Sequence, residues 1–465
     1  MIFTRLYDRK LAQASYLIGC QTTGDAIVID PDRDAAQYLA AAKAERLRIT
    51  YVTETHIHAD FVSGARELAH RAKAQLLLSG DGGRDWQYAF AAQSGARALH
   101  DGDSFTVGRL RFDVLHTPGH TPEHLAFLLT DTPASPHPVM IFTGDFVFVG
   151  DVGRPDLLEK AAKQANTMEA GAHDLWRSLE RFRTLADHLQ VWPGHGAGSA
   201  CGKALGAVPS TTVGYEKLVN WAVAARDEAT FVRMVLDGQP EPPAYFARMK
   251  RVNREGPALI GELAAPPRAD AARIAELVAA GAVVVDVRPP DAFARGHARG
   301  AINVPLNRLF TTYAGSALPY DVPLVLVTAD GADARAAEAA RDLALIGFDT
   351  ISACASAADA GHDETTERVA SREAIARHAA GTPLIDVRNG TEWAELRVAG
   401  ARHVPFTELA SRAAEFSRAT PVLVYCQTGT RSVIATSMLQ RLGVPATDAG
   451  GIVAWRDAGG DVVST

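Results

Sequence analysis

The sequence predicts an α/β protein, with a four-layer αβ/βα sandwich over residues 1–250 and two small parallel α/β domains at 266–361 and 366–465. Three observations carry this. Short apolar runs of strand character fall into two β-rich halves before residue 195, with helical stretches beside them. Histidine and aspartate recur just after those runs. Beyond residue 266 the chain repeats itself with a period of roughly one hundred residues, a domain-sized unit. A chain of 465 residues is also too long for one ordinary core.

The first β-rich half contains Ala14–Cys20 and Asp25–Asp30, separated by Gln21-Thr22-Thr23-Gly24, which reads as a turn. A helix is predicted over 34–45, then the strand Ile49-Thr50-Tyr51-Val52, with a helix opening at Phe61-Val62-Ser63-Gly64. The second half takes in Gln75–Leu78, Phe105–Val107, Leu110–Leu115, Leu125–Leu129 and Val139–Phe142. A helix over 168–186 precedes the strand Leu189–Trp192. From 213 to 250 the pattern is helical and amphipathic (Tyr215, Leu218, Val219, Ala222, Val223), broken by Pro240, Pro242 and Pro243. Ala264-Ala265-Pro266-Pro267 reads as a linker. The repeat then aligns Val283–Arg288 with Pro383–Arg388, Gly300–Pro305 with Gly400–Pro405, and Pro323–Val327 with Pro421–Tyr425.

Composition narrows the function. Apolar residues make up 47% and charged residues 22%, which places the chain among globular proteins. A net charge of -7 argues against a nucleic-acid partner. No apolar run is long enough to span a bilayer, and the N-terminal residues lack the apolar core of a signal peptide. Four scattered cysteines do not make a disulfide framework. A cytoplasmic location without membrane attachment is the expectation.

Chemistry concentrates at two places. At the first, Thr55-His56-Ile57-His58-Ala59-Asp60 follows a strand, and His56 and His58 share a face of an extended backbone. His120, Asp145 and His195 each follow a different strand. The spacing of His116, His120 and His124 is that of a helix face, but Pro118, Gly119 and Pro122 forbid a helix there. Imidazoles and carboxylates gathered at several strand ends are metal-ligand chemistry.

These residues resemble the metallo-β-lactamase superfamily, whose motif HxHxDH is followed by separate His, Asp and His ligands. The last histidine of the motif is Phe61 here, which disfavours a second metal. The chain is similar to the persulfide dioxygenase branch at Thr55–Asp60, Thr117–Thr121, Thr143–Asp145 and Gly153-Arg154-Pro155-Asp156. That resemblance implies one Fe(2+) per chain on His56, His120 and Asp145, with His58, Asp60 and His195 as supporting residues; Arg154 reads either as a contact to an anionic substrate or as a salt bridge near a loop. The substrates it implies are O2 and a persulfide of a small thiol such as glutathione, coenzyme A or bacillithiol. Cys201, in the Gly-rich stretch after His195, is a candidate sulfur relay or a small packing residue.

At the second place, Cys426 follows the strand Pro421–Tyr425 and precedes a helical stretch. A thiol there faces free backbone N–H groups that stabilise a thiolate and a bound anion. The loop Cys426-Gln427-Thr428-Gly429-Thr430-Arg431-Ser432 resembles that of a rhodanese, with the C-x4-R spacing of sulfur transfer rather than the C-x5-R of related phosphatases. The resemblance implies that Cys426 and Arg431 are catalytic and that Gln427, Thr428, Gly429, Thr430 and Ser432 hold the substrate. In the first repeat Thr328 stands at the cysteine position and Asp333 at the arginine position, so that copy lacks the chemistry. Cys20 and Cys354 read as packing residues.

Together the parts resemble a dioxygenase fused to rhodanese-like modules, making sulfite and thiosulfate from persulfide in sulfide detoxification. The direction of coupling stays open, because Cys426 could equally make persulfide from thiosulfate. Two rivals stand: a glyoxalase II-like zinc thioester hydrolase, and a non-catalytic sulfur-responsive scaffold. The 213–250 segment is a candidate surface for a homo-oligomer.

Overall fold

The structure, a computed structural model, describes residues 1–160, 167–203 and 205–464. It divides into two compact units, Met1–Glu262 and Leu263–Thr465.

The first unit stacks two six-stranded sheets. One runs in spatial order Ile2–Asp8, Gln13–Gly19, Asp25–Ile29, Arg48–Thr53, Gln75–Ser79, Arg97–Leu99. The other runs Thr211–Thr212, Gln190–Pro193, Met140–Gly144, Leu125–Asp131, Leu110–His116, Ser104–Val107. Alternation along the strands builds three apolar layers. Tyr16, Ile18, Ile27 and Ile29 face Phe112, Phe127 and Phe142 between the sheets. The intervening Leu17, Ala26 and Val28 turn outward against the helices Ala35–Ala44 and Ala65–Ala72. On the far side Ile141 and Val191 pack with the helices Met168–Arg183, Val213–Val219 and Glu228–Leu236. This is the αβ/βα sandwich.

Three local expectations need correction. The strand expected to open the second half, Gln75–Leu78, lies in the first sheet beside Arg48–Thr53. The helix predicted to open at Phe61 begins at Ala65. Residues 58–63 are held out of a helix by Asn253, whose Nδ2 donates to the carbonyls of His58 (2.8 Å) and Phe61 (2.7 Å) while its Oδ1 accepts from Ser63 N–H (2.8 Å). The amphipathic stretch 213–250 is three helices, Val213–Val219, Glu228–Leu236 and Phe246–Glu255. Asp227 caps the second by accepting from Thr230 N–H, and the prolines at 240–243 precede the third.

The second unit holds two four-stranded parallel sheets of the same order, one for each repeat. Ile302–Asn303, Val283–Asp286, Leu324–Thr328 and Ile351–Ser356 form the first. Arg402–His403, Leu384–Asp386, Val422–Cys426 and Ala446–Gly451 form the second. No helix among the described residues is long and apolar enough to cross a membrane.

Candidate metal centre and thiol loop

Three side chains from three strand ends converge in the first unit. His56 Nε2 and His120 Nε2 lie 3.9 and 3.5 Å from Asp145 Oδ2, and all three residues are buried. Each imidazole is held in one tautomer. His56 donates from Nδ1 to Thr55 Oγ1 (2.9 Å), which itself donates to Asp30 Oδ2 (2.9 Å). His120 donates from Nδ1 to the Arg154 carbonyl (3.0 Å). Both Nε2 lone pairs therefore point inward, the arrangement in which outer hydrogen bonds fix metal-ligating histidines. Burial, with His58 beside it, keeps His56 well below its ordinary basicity, so its lone pair is free. Asp145 Oδ2 is buried without a hydrogen-bond partner. Such an oxygen is costly unless a cation takes it. Burial alone would raise Asp145, but His195, His56 and His120 hold it well below the usual carboxylate range. The donor set fits a metal ion.

Close backbone approach makes this convergence possible. Gly144 has φ of +47°, and a Cβ there would stand 2.4 Å from Thr55 Oγ1 and 2.8 Å from His124 Nε2. Asp145 N–H donates to His124 Nε2 (3.1 Å), and His124 Nδ1 donates to Thr117 Oγ1 (2.8 Å).

The remaining expected residues form a layer around the triad. His195 is bound at both ring nitrogens, Nδ1 to Asp145 Oδ1 (2.7 Å) and Nε2 to Asp60 Oδ2 (2.8 Å). Burial opposes its charge, but the two carboxylates overcome that and push His195 well above its ordinary value. His58 Nε2 faces Asp30 Oδ1 (3.2 Å), and against the cost of burial Asp30 raises it to about 9. Cys201 is buried beside Asp60 and His195, with its thiol pushed up well above the ordinary value first by burial and then by Asp145 and Asp60. Phe61 is fully buried, its ring 4.5 Å from that of His58.

Arg154 is placed differently from its expected contact with substrate. Its guanidinium is fully buried, donates to both oxygens of Asp156 (2.7 and 2.8 Å), and spends its other donors on the carbonyls of Ala200 (3.2 Å) and Pro240 (2.6 Å). It ties down the loop bearing Cys201. Sequence reasoning also passed over Asp30, Glu123, His124 and Asn253. Glu123 accepts from Ile57 N–H (2.8 Å), between the two motif histidines. Asn253 lies 192 residues from the Phe61 carbonyl it holds. Asp30 offered one signal, a polar end to an apolar strand.

In the second unit Cys426 ends a central strand and lies buried, with Gly429 N–H donating to its Sγ (3.1 Å). The helix Thr430–Arg441 begins there, with Gly429 left-handed at φ +102°. Arg431 does not present a free charge to the loop. Both its terminal nitrogens donate to Glu392 (2.8 and 2.6 Å), which sequence reasoning did not single out. Two loop side chains expected on substrate make other hydrogen bonds, Ser432 with its hydroxyl hydrogen and Gln427 with its amide oxygen alone. Ser432 donates to Asp448 (2.6 Å), and Gln427 Oε1 accepts from Arg388 (3.0 Å). Thr428 and Gly429 lie in the turn between the Cys426 strand and the helix Thr430–Arg441, which Thr430 opens. Cys354 is buried packing, its thiol against the Pro266 carbonyl (3.3 Å), and Cys20 is buried likewise.

Comparison with known proteins agrees with this geometry. Residues 8–195 match the metallo-beta-lactamase superfamily, and residues 270–355 and 371–458 each match the rhodanese-like domain. The chain belongs to the metallo-β-lactamase superfamily and carries two rhodanese-like domains. The mitochondrial persulfide dioxygenase of Bos taurus is 30% identical over 199 residues, 42% of this chain and 68% of that protein. A hydroxyacylglutathione hydrolase of Rhodopseudomonas palustris is 30% identical over 254 residues, 54% of this chain and 84% of that one. A crystal structure of a metallo-beta-lactamase from Staphylococcus aureus is 41% identical, covers 77% of this chain and 99% of its own, and superposes with a TM-score of 0.68.

Proposed function

We propose that this chain is a non-haem iron persulfide dioxygenase coupled to a rhodanese sulfurtransferase. The observation that carries the reading is the three-donor set His56, His120 and Asp145, standing beside His195, which is hydrogen-bonded to both Asp145 and Asp60. Two histidines and one carboxylate leave open positions on iron. A second, hydrolytic metal would have to take His195 from its carboxylates and do without an imidazole at Phe61. The similarity to a persulfide dioxygenase supports the same choice.

Iron, when bound, supplies the centre at which O2 is activated. The chain's own residues orient and seal. Thr55 and the Arg154 carbonyl aim the two imidazoles, and His195 aligns Asp145. The buried surroundings exclude water, which keeps the oxidised sulfur from wasteful side reactions. Persulfide, O2 and water give the parent thiol, sulfite and two protons. Cys426 takes the outer sulfur from a second persulfide and becomes a cysteine persulfide, releasing thiol. Sulfite then attacks that outer sulfur and leaves as thiosulfate.

The test is metal analysis with oxygen-electrode measurements across glutathione, coenzyme A and bacillithiol persulfides. One iron per chain and persulfide-dependent O2 uptake are expected. Zinc with thioester hydrolysis and no O2 uptake would sink the proposal in favour of a hydrolase like the Rhodopseudomonas relative.

A further inference from the structure

The two rhodanese-like copies within the second unit are joined side by side. Asn303 N–H of the first copy donates to Ser437 Oγ of the second (3.1 Å), and Arg441 donates to the Gly300 carbonyl (2.9 Å). The helix Phe310–Ala317 of the first copy packs on the helix Thr430–Arg441 and on the turn Phe406–Glu408. Both contact elements lie at the edge of the sheet that bears Cys426: the first helix starts at its loop, and the turn follows Arg402–His403, two places from the Cys426 strand in the same parallel sheet. One side chain of the first copy reaches that edge. Tyr313 is half-buried, with its ring meeting Phe406 edge-on at 6.2 Å and 81°. Its hydroxyl has no hydrogen-bond partner among the described residues.

A sulfur oxyanion carries several oxygens that need hydrogen bonds, and Arg431 gives one N–H from each terminal nitrogen to Glu392. Ser432 gives its only hydroxyl hydrogen to Asp448, while Gln427, whose Oε1 accepts from Arg388, keeps its amide N–H groups. Backbone N–H groups of the loop serve the sulfur, as Gly429 already does.

We propose that Tyr313 of the first copy is a substrate-binding residue of the second, donating its hydroxyl hydrogen to an oxygen of the sulfite or thiosulfate at Cys426. The proposal rests on the assignment of sulfur transfer to Cys426. Electrostatics agree with the placement. Tyr313 feels the charges of Arg431, Cys426 and Glu392, and Arg431 in turn feels Tyr313. Burial, then Cys426 and Glu392, raise the phenol above its ordinary value despite Arg431, so it keeps the proton it must donate. In the step itself Cys426 thiolate attacks the outer sulfur of thiosulfate, the S–S bond breaks, and sulfite leaves with the electron pair. The reverse attack by sulfite returns thiolate. Tyr313 holds the oxyanion in both directions and gives up no proton.

The full chain and its Tyr313→Phe variant separate the possibilities, because phenylalanine keeps the ring on Phe406 and removes only the hydroxyl. Steady-state transfer from thiosulfate to cyanide should show a KM for thiosulfate raised about tenfold with little change in kcat, the loss expected for one hydrogen bond to a charged group. Loading of Cys426 by glutathione persulfide, whose outer sulfur bears no oxygen, should be unchanged when followed by mass spectrometry. A thiosulfate KM within twofold of wild type overturns the role of Tyr313. An equal loss with both donors overturns it too, since that reports a disturbed interface. If wild-type Cys426 is loaded by neither donor, the assignment of Cys426 itself fails, and that result is distinct from either of the others.

Discussion

At the residue scale the metal centre depends on groups that touch no metal. Asn253 satisfies three backbone groups of residues 58–63 at once. Replacing it by alanine leaves them unpaired in a buried place, at about 1–3 kcal/mol for each unsatisfied group. Asn253→Ala should therefore lower the melting temperature and reduce bound iron, read by calorimetry and metal analysis on the same sample. Asp30 accepts from Thr55 N–H (2.6 Å) and Thr55 Oγ1 and faces His58, so Asp30→Ala should lose iron while His56 itself is untouched. The converging residues His56, His120, Asp145 and His195 were legible because each ends a strand in a distinctive residue type. Asn253 and Glu392 were not, since an asparagine or glutamate on a helix carries no mark of what it reaches across the fold. For Arg154 the sequence left substrate contact and a loop salt bridge open, and the structure shows the pair with Asp156.

At the scale of elements, short apolar runs were enough to predict the layers but not to place Gln75–Ser79 in the first of them, while Tyr16, Leu17 and Ile18 alternate between two cores. Short strands escaped it. Arg97–Leu99 buries a single apolar residue, Leu99, and leaves no period to read. The loop after His195 illustrates how an irregular element is held by a single side chain. Arg154 anchors it through the Ala200 carbonyl and pairs with buried Asp156. Arg154→Met removes one member of a buried pair and strands the other, a change of about 3–5 kcal/mol. The expected outcome is a lower melting temperature together with protease cleavage within residues 196–203, mapped by mass spectrometry. Gly144→Ala tests a different element, the tight passage from the strand Met140–Gly144 to Asp145. A Cβ there collides with Thr55 and His124, so iron content should fall although no ligand has changed.

At the scale of the whole molecule, two chemistries occupy separate compact units and share no residue. Chelating the metal should abolish O2 uptake and leave persulfide loading of Cys426 intact. Conversely, Cys426→Ser should keep O2 uptake and release sulfite where the wild type releases thiosulfate, assayed by chromatography of the products. Thiosulfate formed at the wild-type rate by that variant would remove Cys426 from the pathway. The repeat was readable as duplication from its matched strands alone, whereas the way the two copies are joined was not, because Asn303, Gly300 and Tyr313 look like ordinary residues of a domain without chemistry.

The duplication has a consequence for how this sequence tolerates change. Thr328 and the exposed Asp333 stand where the second copy has Cys426 and Arg431, so this loop holds no thiol or cation for a substitution to disturb. The face of the same copy that bears Asn303 and the helix Phe310–Ala317 packs against the second copy. Relaxation and constraint thus lie on opposite sides of one small fold. A saturation library of the first copy, selected for sulfur transfer, should accept nearly any residue at 330–333 and very few at 303 and 313. The inherited partner would then survive as scaffolding for its twin, long after losing its own trade.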